Sequence, residues 1–216
     1  MPTSSTVADA PIAPAVPPGR TGRVARPLGV VRRWFDTGAT VTETVDGNRI
    51  DWLRAAPFVA MHLACLAVFW VGFSWFALGV AAALYAVRMF AITGFYHRYF
   101  SHRTFRTSRV LQFVFALIGA SSVQRGPLWW AAHHRHHHRH TDTPADPHTP
   151  RKGFWRSHAG WFLTHGGFRT DTSRICDLVK YPELRWLDRF DVAVPVALAI
   201  LLFALGMALE RWAPGL

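Results

Sequence analysis

The chain has 216 residues, 50% of them hydrophobic, and a formal net charge of +11 with neutral histidines. That apolar share is high for a soluble protein of this size and too low for a pure bundle of spans, so a membrane protein with a substantial water-facing part fits. The basic balance fits an anionic membrane surface or an anionic substrate; the arginines cluster near apolar segments and not on a recognition helix, which excludes nucleic acid as partner.

Residues 1 to 27 are rich in Pro, Ala, Ser and Thr and read as a disordered tail with no signal-peptide core. Residues 28 to 52 are mixed and polar, with Arg32, Arg33 and Trp34 marking a membrane-surface segment. Two apolar runs come next, at about 55–74 and 75–96, each long enough to cross the hydrocarbon core as a helix. Gly72, Ser74 and Gly79 lie near the join, which predicts a tight transmembrane hairpin. Arginines flank the pair on both sides, so the positive-inside rule puts both ends, and the N-terminus, in the cytoplasm. Val110 to Val123 is too short to span and predicts a helix packed on the membrane face of a cytosolic part covering about 97–189. A third span is expected at about 190–209. The fold class is therefore all-α: an integral membrane domain over residues 28–216, with a helical cytosolic cap. Cys65 and Cys176 make no CxxC and no disulfide framework.

Histidine is the anomaly. There are twelve, and six fall between His133 and His140. The first cluster, His97 and His102, has HxxxxH spacing and begins where the second span ends. The second, His134, His137 and His138, has HxxHH spacing. On a helix, positions i, i+3 and i+4 share a face, so these three can converge on one point. Neutral imidazole ligates iron, copper, nickel and zinc. His62 lies alone inside a span and reads as a packed or hydrogen-bonded residue.

The stretch Gly94-Phe-Tyr-His97-Arg-Tyr-Phe-Ser-His102-Arg-Thr-Phe resembles the first histidine box of the acyl-CoA (fatty acid) desaturase family, of delta-9 type. The run from Trp129 to His140 resembles the second box. The run Ala145-Asp146-Pro147-His148 through Gly153-Phe154-Trp155 to Ser157-His158-Ala-Gly160-Trp161 is similar to the family's segment after that box. The resemblance implies an oxidoreductase with a histidine-ligated di-metal site: two Fe ions, with O2 as co-substrate, desaturating a fatty acyl chain through a kinked apolar tunnel. It implies His97, His102, His134, His137 and His138 as ligands. It implies an acyl-CoA or acyl-lipid substrate in contact with membrane lipid, and electrons from a redox partner such as ferredoxin or a cytochrome b5-type protein with its reductase. Asp142 and Asp146 are the nearest carboxylates to orient the rings, and His148 and His158 are further candidates for that support. Arg135 and Arg139 are candidates to bind an anionic headgroup, and Trp130 a candidate to touch substrate. His133 stands where many family members carry an aspartate.

The family carries a third histidine box beyond a fourth span. No histidine follows His165 here, so the sequence is expected to stop short of the last ligands and to be inactive alone. Related di-iron hydroxylases and monooxygenases share the architecture, and a metal-binding membrane protein or a nonenzymatic scaffold are alternatives of another class.

Overall fold

The computed structural model describes residues 27–38 and 46–213. The tail expected over residues 1 to 27 lies outside these but for Pro27. Among the described residues the chain is helical, with one isolated bridge, Ile50 to Thr164.

Helix α1 (Pro27–Phe35) ends in Arg32 and Arg33, cations at the carbonyl end of the helix dipole. Asp36 comes directly after it. The Arg189 guanidinium, bidentate at 2.9 Å, holds that carboxyl down to about 2 and ties α1 to the far end of the sequence. Asp51 caps α2 (Trp52–Phe69) by accepting from the Arg54 amide at 3.2 Å. The same carboxylate takes Arg33 at 2.9 Å and His165 at 3.2 Å. Gly72, at φ 78°, turns the chain where a side chain would be strained, and the Ser74 hydroxyl caps α3 (Trp75–Ser101).

These two helices and α8 (Ala193–Trp212) are each long and apolar enough to cross a membrane. Their apolar residues face outward, and no residue of α8 is buried. Such a surface is stable against lipid and costly against water. The first span begins at Trp52 and ends at Phe69, earlier at both ends than the run 55–74. The second continues past Tyr96 to Ser101, so that His97 lies on the helix itself and His102 caps its end. The third runs three residues later than 190–209 at each end.

The core lies where the second span meets the cap. Helices α4 (Arg109–Ala120) and α5 (Pro127–His140) pack against the end of α3 around Tyr96, Phe100, Leu128, Ala131 and Ala132. Alanine and glycine permit the close approach: a Cβ at Gly119 would collide with the Tyr96 ring. The short α6 (Cys176–Val179) and α7 (Pro182–Arg189) close the core with Leu178, Leu184 and Leu187.

The N-terminus of α5 has an unusual cap. Its N-cap residue, Gly126, has no side chain to offer. Asp188 of α7 supplies the acceptor instead, taking the Trp129 amide at 2.6 Å and the Thr170 hydroxyl at 2.8 Å. Burial pushes the Asp188 carboxyl up to about 6. A carboxyl raised in the folded state destabilises the fold progressively as pH rises through the interval between about 4 and 6. Asp188→Asn keeps an acceptor and never ionises. Its thermal midpoint relative to the unmodified chain should therefore rise across that interval, read by unfolding in detergent at several pH values. A difference flat in pH would show that Asp188 does not titrate there.

Candidate metal centre

The first histidine pair converges because of a change in helix type. In an α-helix residue i+5 lies roughly 140° around from residue i, so HxxxxH would splay its rings. From Ala91 to Ser101 the helix is π, with i→i+5 hydrogen bonds. The last of these runs from the His102 amide to the His97 carbonyl at 3.1 Å. It puts the two rings on one side, with Nε2 atoms 3.2 Å apart.

Helix α5 brings His134 and His138 to the same point. Their rings are one turn apart, with centroids 4.5 Å from each other. His134 Nε2 lies 3.1 Å from His102 Nε2, and the His138 ring is 4.6 Å from that of His102. One ring nitrogen from each of His97, His102, His134 and His138 falls within 4.8 Å of all the others. Two nitrogens held about 2.0–2.1 Å from one ion are separated by about 2.9 Å at a right angle and about 3.3 Å at a tetrahedral one. The spacings of 3.1 and 3.2 Å lie in that range. Burial, with the neighbouring histidines adding to it, pushes His134 down to about 3, so this ring keeps the neutral form that a ligand needs.

His137 does not join that group. It stands with Asp146 and His148 in a second set whose ligand atoms also lie within 4.8 Å of one another. Asp146 is fully buried. Its carboxylate faces His137 Nδ1 at 3.1 Å and accepts the Asp142 amide at 3.2 Å and the His148 amide at 3.1 Å. Burial pushes this carboxyl up, but the hydrogen bonds from His137 and the two amides outweigh it and hold it below the usual range. With Nδ1 engaged, His137 keeps Nε2 for a metal. The His148 ring stacks on His137 at 4.0 Å. The shared helical face expected for 134, 137 and 138 thus splits: two rings turn to the first box and one to Asp146.

Arg135 does not face a headgroup. All five of its N–H donors are used within the protein. Nε donates to the Ser101 carbonyl at 3.1 Å, and Nη2 to the Phe100 carbonyl at 2.7 Å. Nη1 donates to the Arg174 carbonyl at 3.1 Å, and Nη1 and Nη2 together grip the Asp177 carboxylate at 2.7 and 3.1 Å. The guanidinium therefore fastens the C-terminal carbonyls of the π segment to the helix that carries the second box. Asp177, the anchor of this clamp, carries no sequence signal that would have singled it out.

The other expected residues are dispersed. Arg139 is exposed. Asp142 is exposed and meets Asp146 through its backbone amide. His158 belongs to neither histidine set and stacks on Phe154 at 4.6 Å. His133 Nε2 faces the Arg169 carbonyl at 3.0 Å, so it is turned away from the cluster. Trp130 lies at the junction: its ring stacks on His134 at 4.6 Å and its indole N–H faces Gln124 Oε1 at 3.4 Å. It also lines an apolar cleft of about 600 Å³ with Phe58, Met61, Trp161, Phe162 and Val196. The pair Arg125 and Asp191, 2.8 Å apart and largely buried, also lines this cleft and was not evident from the sequence.

A helical chain with three membrane-length helices and an imidazole cluster at the end of one of them defines a class: a membrane protein with a histidine cluster that can hold a metal ion. The chain belongs to the fatty acid desaturase family, whose pattern matches residues 73–215. It is 37% identical to an sn-1 stearoyl-lipid 9-desaturase of Anabaena variabilis over 161 residues, 73% of this chain and 59% of that protein. It is 36% identical to an sn-2 palmitoyl-lipid 9-desaturase of Nostoc over 177 residues, 78% of this chain and 61% of that protein. It is 37% identical to an acyl-CoA 5-desaturase of Anemone leveillei over 163 residues, 74% of this chain and 50% of that protein. The chain thus spans between half and about three fifths of the length of these relatives.

Two substitutions separate positioning from ligation. Arg135→Lys keeps the charge and loses the fork, and Asp146→Ala frees the His137 ring. Each should weaken metal affinity about 10- to 100-fold, the effect usual for groups that orient ligands. His158→Ala should leave it unchanged. Titration with Co(II), followed by its visible absorption, reads all three; equal affinities across the set would contradict the assignment.

Proposed function

We propose that this chain forms the histidine-box portion of an O2-dependent fatty acyl desaturase that places a cis double bond in a saturated chain. The overall change removes two hydrogens from adjacent methylenes. It consumes one O2, two electrons and two protons, and releases two waters. The observation that carries the reading is the meeting of both histidine boxes behind Trp130, at the wall of an aromatic cleft.

The donor set suits iron: neutral imidazoles with buried carboxylate support. On this reading His97, His102, His134 and His138 hold one ion, and His137 is the first ligand of a second, with further ligands drawn from outside these five. Bound iron would supply the oxidising power that unactivated methylenes require. The protein's own part is positional. The π segment and Arg135 set the spacing of the rings. Asp146 fixes the His137 tautomer. The cleft walls exclude water and hold the acyl chain beside Trp130.

The relatives are named for acyl-lipid and acyl-CoA substrates, so both carriers are open to this protein, and the electrons come from an external ferredoxin or cytochrome b5-type donor. The histidine boxes and the N-terminus lie on the cytoplasmic side, by the arginines that flank the first two spans. The test is the fatty acid profile of cells expressing the protein, with double-bond positions read by mass spectrometry. The expected result is a new mono-unsaturated species that disappears in His134→Ala and persists in His140→Ala, a residue of the same tract that belongs to neither histidine set and does not line the cleft. A hydroxylated product, or unsaturation that survives His134→Ala, would overturn the reading.

A further inference from the structure

Away from the metal centre, two large aromatic side chains stand side by side in the open. Phe154 is 64% exposed and Trp155 is 78% exposed. They occupy a turn that begins after Gly153, at φ 89°, and leads into a short π-helical turn, Arg156–Gly160. Adjacent exposed aromatics of this size mark a surface that meets something other than water.

The turn is fixed against the start of the first span. Phe154 stacks on His158, which lines the apolar cleft together with Pro57, Phe58 and Met61 of α2. Phe162 packs edge-on against Phe58 at 5.4 Å. Arg156 donates to Asn48 Oδ1 at 3.1 Å, and the Asp51 amide donates to the Leu163 carbonyl at 2.9 Å. Residues 154–163 therefore run beside the first turns of a helix long enough to cross a membrane. Two further tryptophans gather at that level. Trp52, the first residue of α2, is 72% exposed, and the Trp34 indole donates to the Leu53 carbonyl at 2.7 Å. The exposed cation Arg49 precedes Trp52 in the chain and the exposed Arg151 precedes Phe154, whereas the Lys152 ammonium is turned inward onto the Pro144 and Asp146 carbonyls.

We propose that the Phe154–Trp155 turn is seated in the headgroup layer of an anionic membrane, and that with Trp34 and Trp52 it forms an aromatic and basic collar around the entry to α2. Tryptophan favours this layer because its ring is amphipathic, and arginine favours it because the lipid phosphates are anionic. Continuity with the span and the sign of the charge select lipid over a water-borne protein partner. The collar sets the height of the cleft mouth at the lipid headgroups.

The test places a thiol-reactive fluorophore at Trp155→Cys, in a Cys65→Ala, Cys176→Ser background of the full chain, in vesicles with and without anionic lipid. Quenching by headgroup-level nitroxide lipid should exceed quenching by aqueous iodide at least about twofold. It should increase with anionic lipid, and Arg151→Glu should remove that increase. A label at Phe203→Cys on α8 reports on the span itself and should be quenched by nitroxides deep in the acyl layer. If the label at 203 is quenched in lipid while that at 155 tracks iodide, the collar is wrong and the span stands. If the label at 155 resists both quenchers, protein covers the turn and the proposal fails. If the label at 203 is not quenched in lipid, the membrane reading beneath it fails.

Discussion

The hydrogen bond from the His102 amide to the His97 carbonyl is the constraint on which the centre depends. It closes an i→i+5 turn, and that turn alone puts two histidines five residues apart on one side of a helix. Had α3 remained α-helical to Ser101, His102 would point well away from His97. The four-nitrogen cluster would then reduce to the i, i+4 pair on α5. A π-helix of this length is poor in isolation, since its packing is looser than that of an α-helix. Here it is held by contacts on two sides. Tyr96 fills the space left by Gly119, and Arg135 binds the last carbonyls.

Arg135 makes the two boxes one unit. Its neighbours in sequence, His134 and His136 to His138, face elsewhere, so the residue inside the second box is free to reach back to the first. The Asp177 carboxylate neutralises it, and the carbonyls of Phe100, Ser101 and Arg174 complete its donors. A guanidinium with every donor used inside the fold is rigid, and that rigidity is inherited by the rings on either side of it. Asp188 performs a similar task at the beginning of α5. The segment from Thr170 to Asp188 carries no histidine, yet it fixes both the beginning and the middle of the helix that presents the second box.

Much of this was legible from residues alone. The three membrane-length helices are evident as apolar runs, and the two boxes as histidine types and spacing. The convergence of His134 with His138 reflects the period of the α-helix. What escaped the sequence was anything set by tertiary contact. The π turn cannot be read from the letters Ala91 to Ser101, because the same residues suit an α-helix. His137 was expected beside His134 and His138, and the buried Asp146, nine residues on, turns it aside. Arg135 looks like a surface cation until its distant partners, Phe100 and Asp177, are placed next to it. His158 lies in a family-like run but belongs to the cleft wall and the membrane-facing turn.

X-ray absorption at the iron edge of the iron-loaded protein tests most directly whether the two boxes build one centre. The expected spectrum shows nitrogen and oxygen neighbours at about 2.0–2.2 Å with the outer-shell scattering of several imidazoles, reduced by His102→Ala and by His134→Ala alike. A spectrum without imidazole scattering, or one that changes with only one of the two substitutions, would contradict a shared centre.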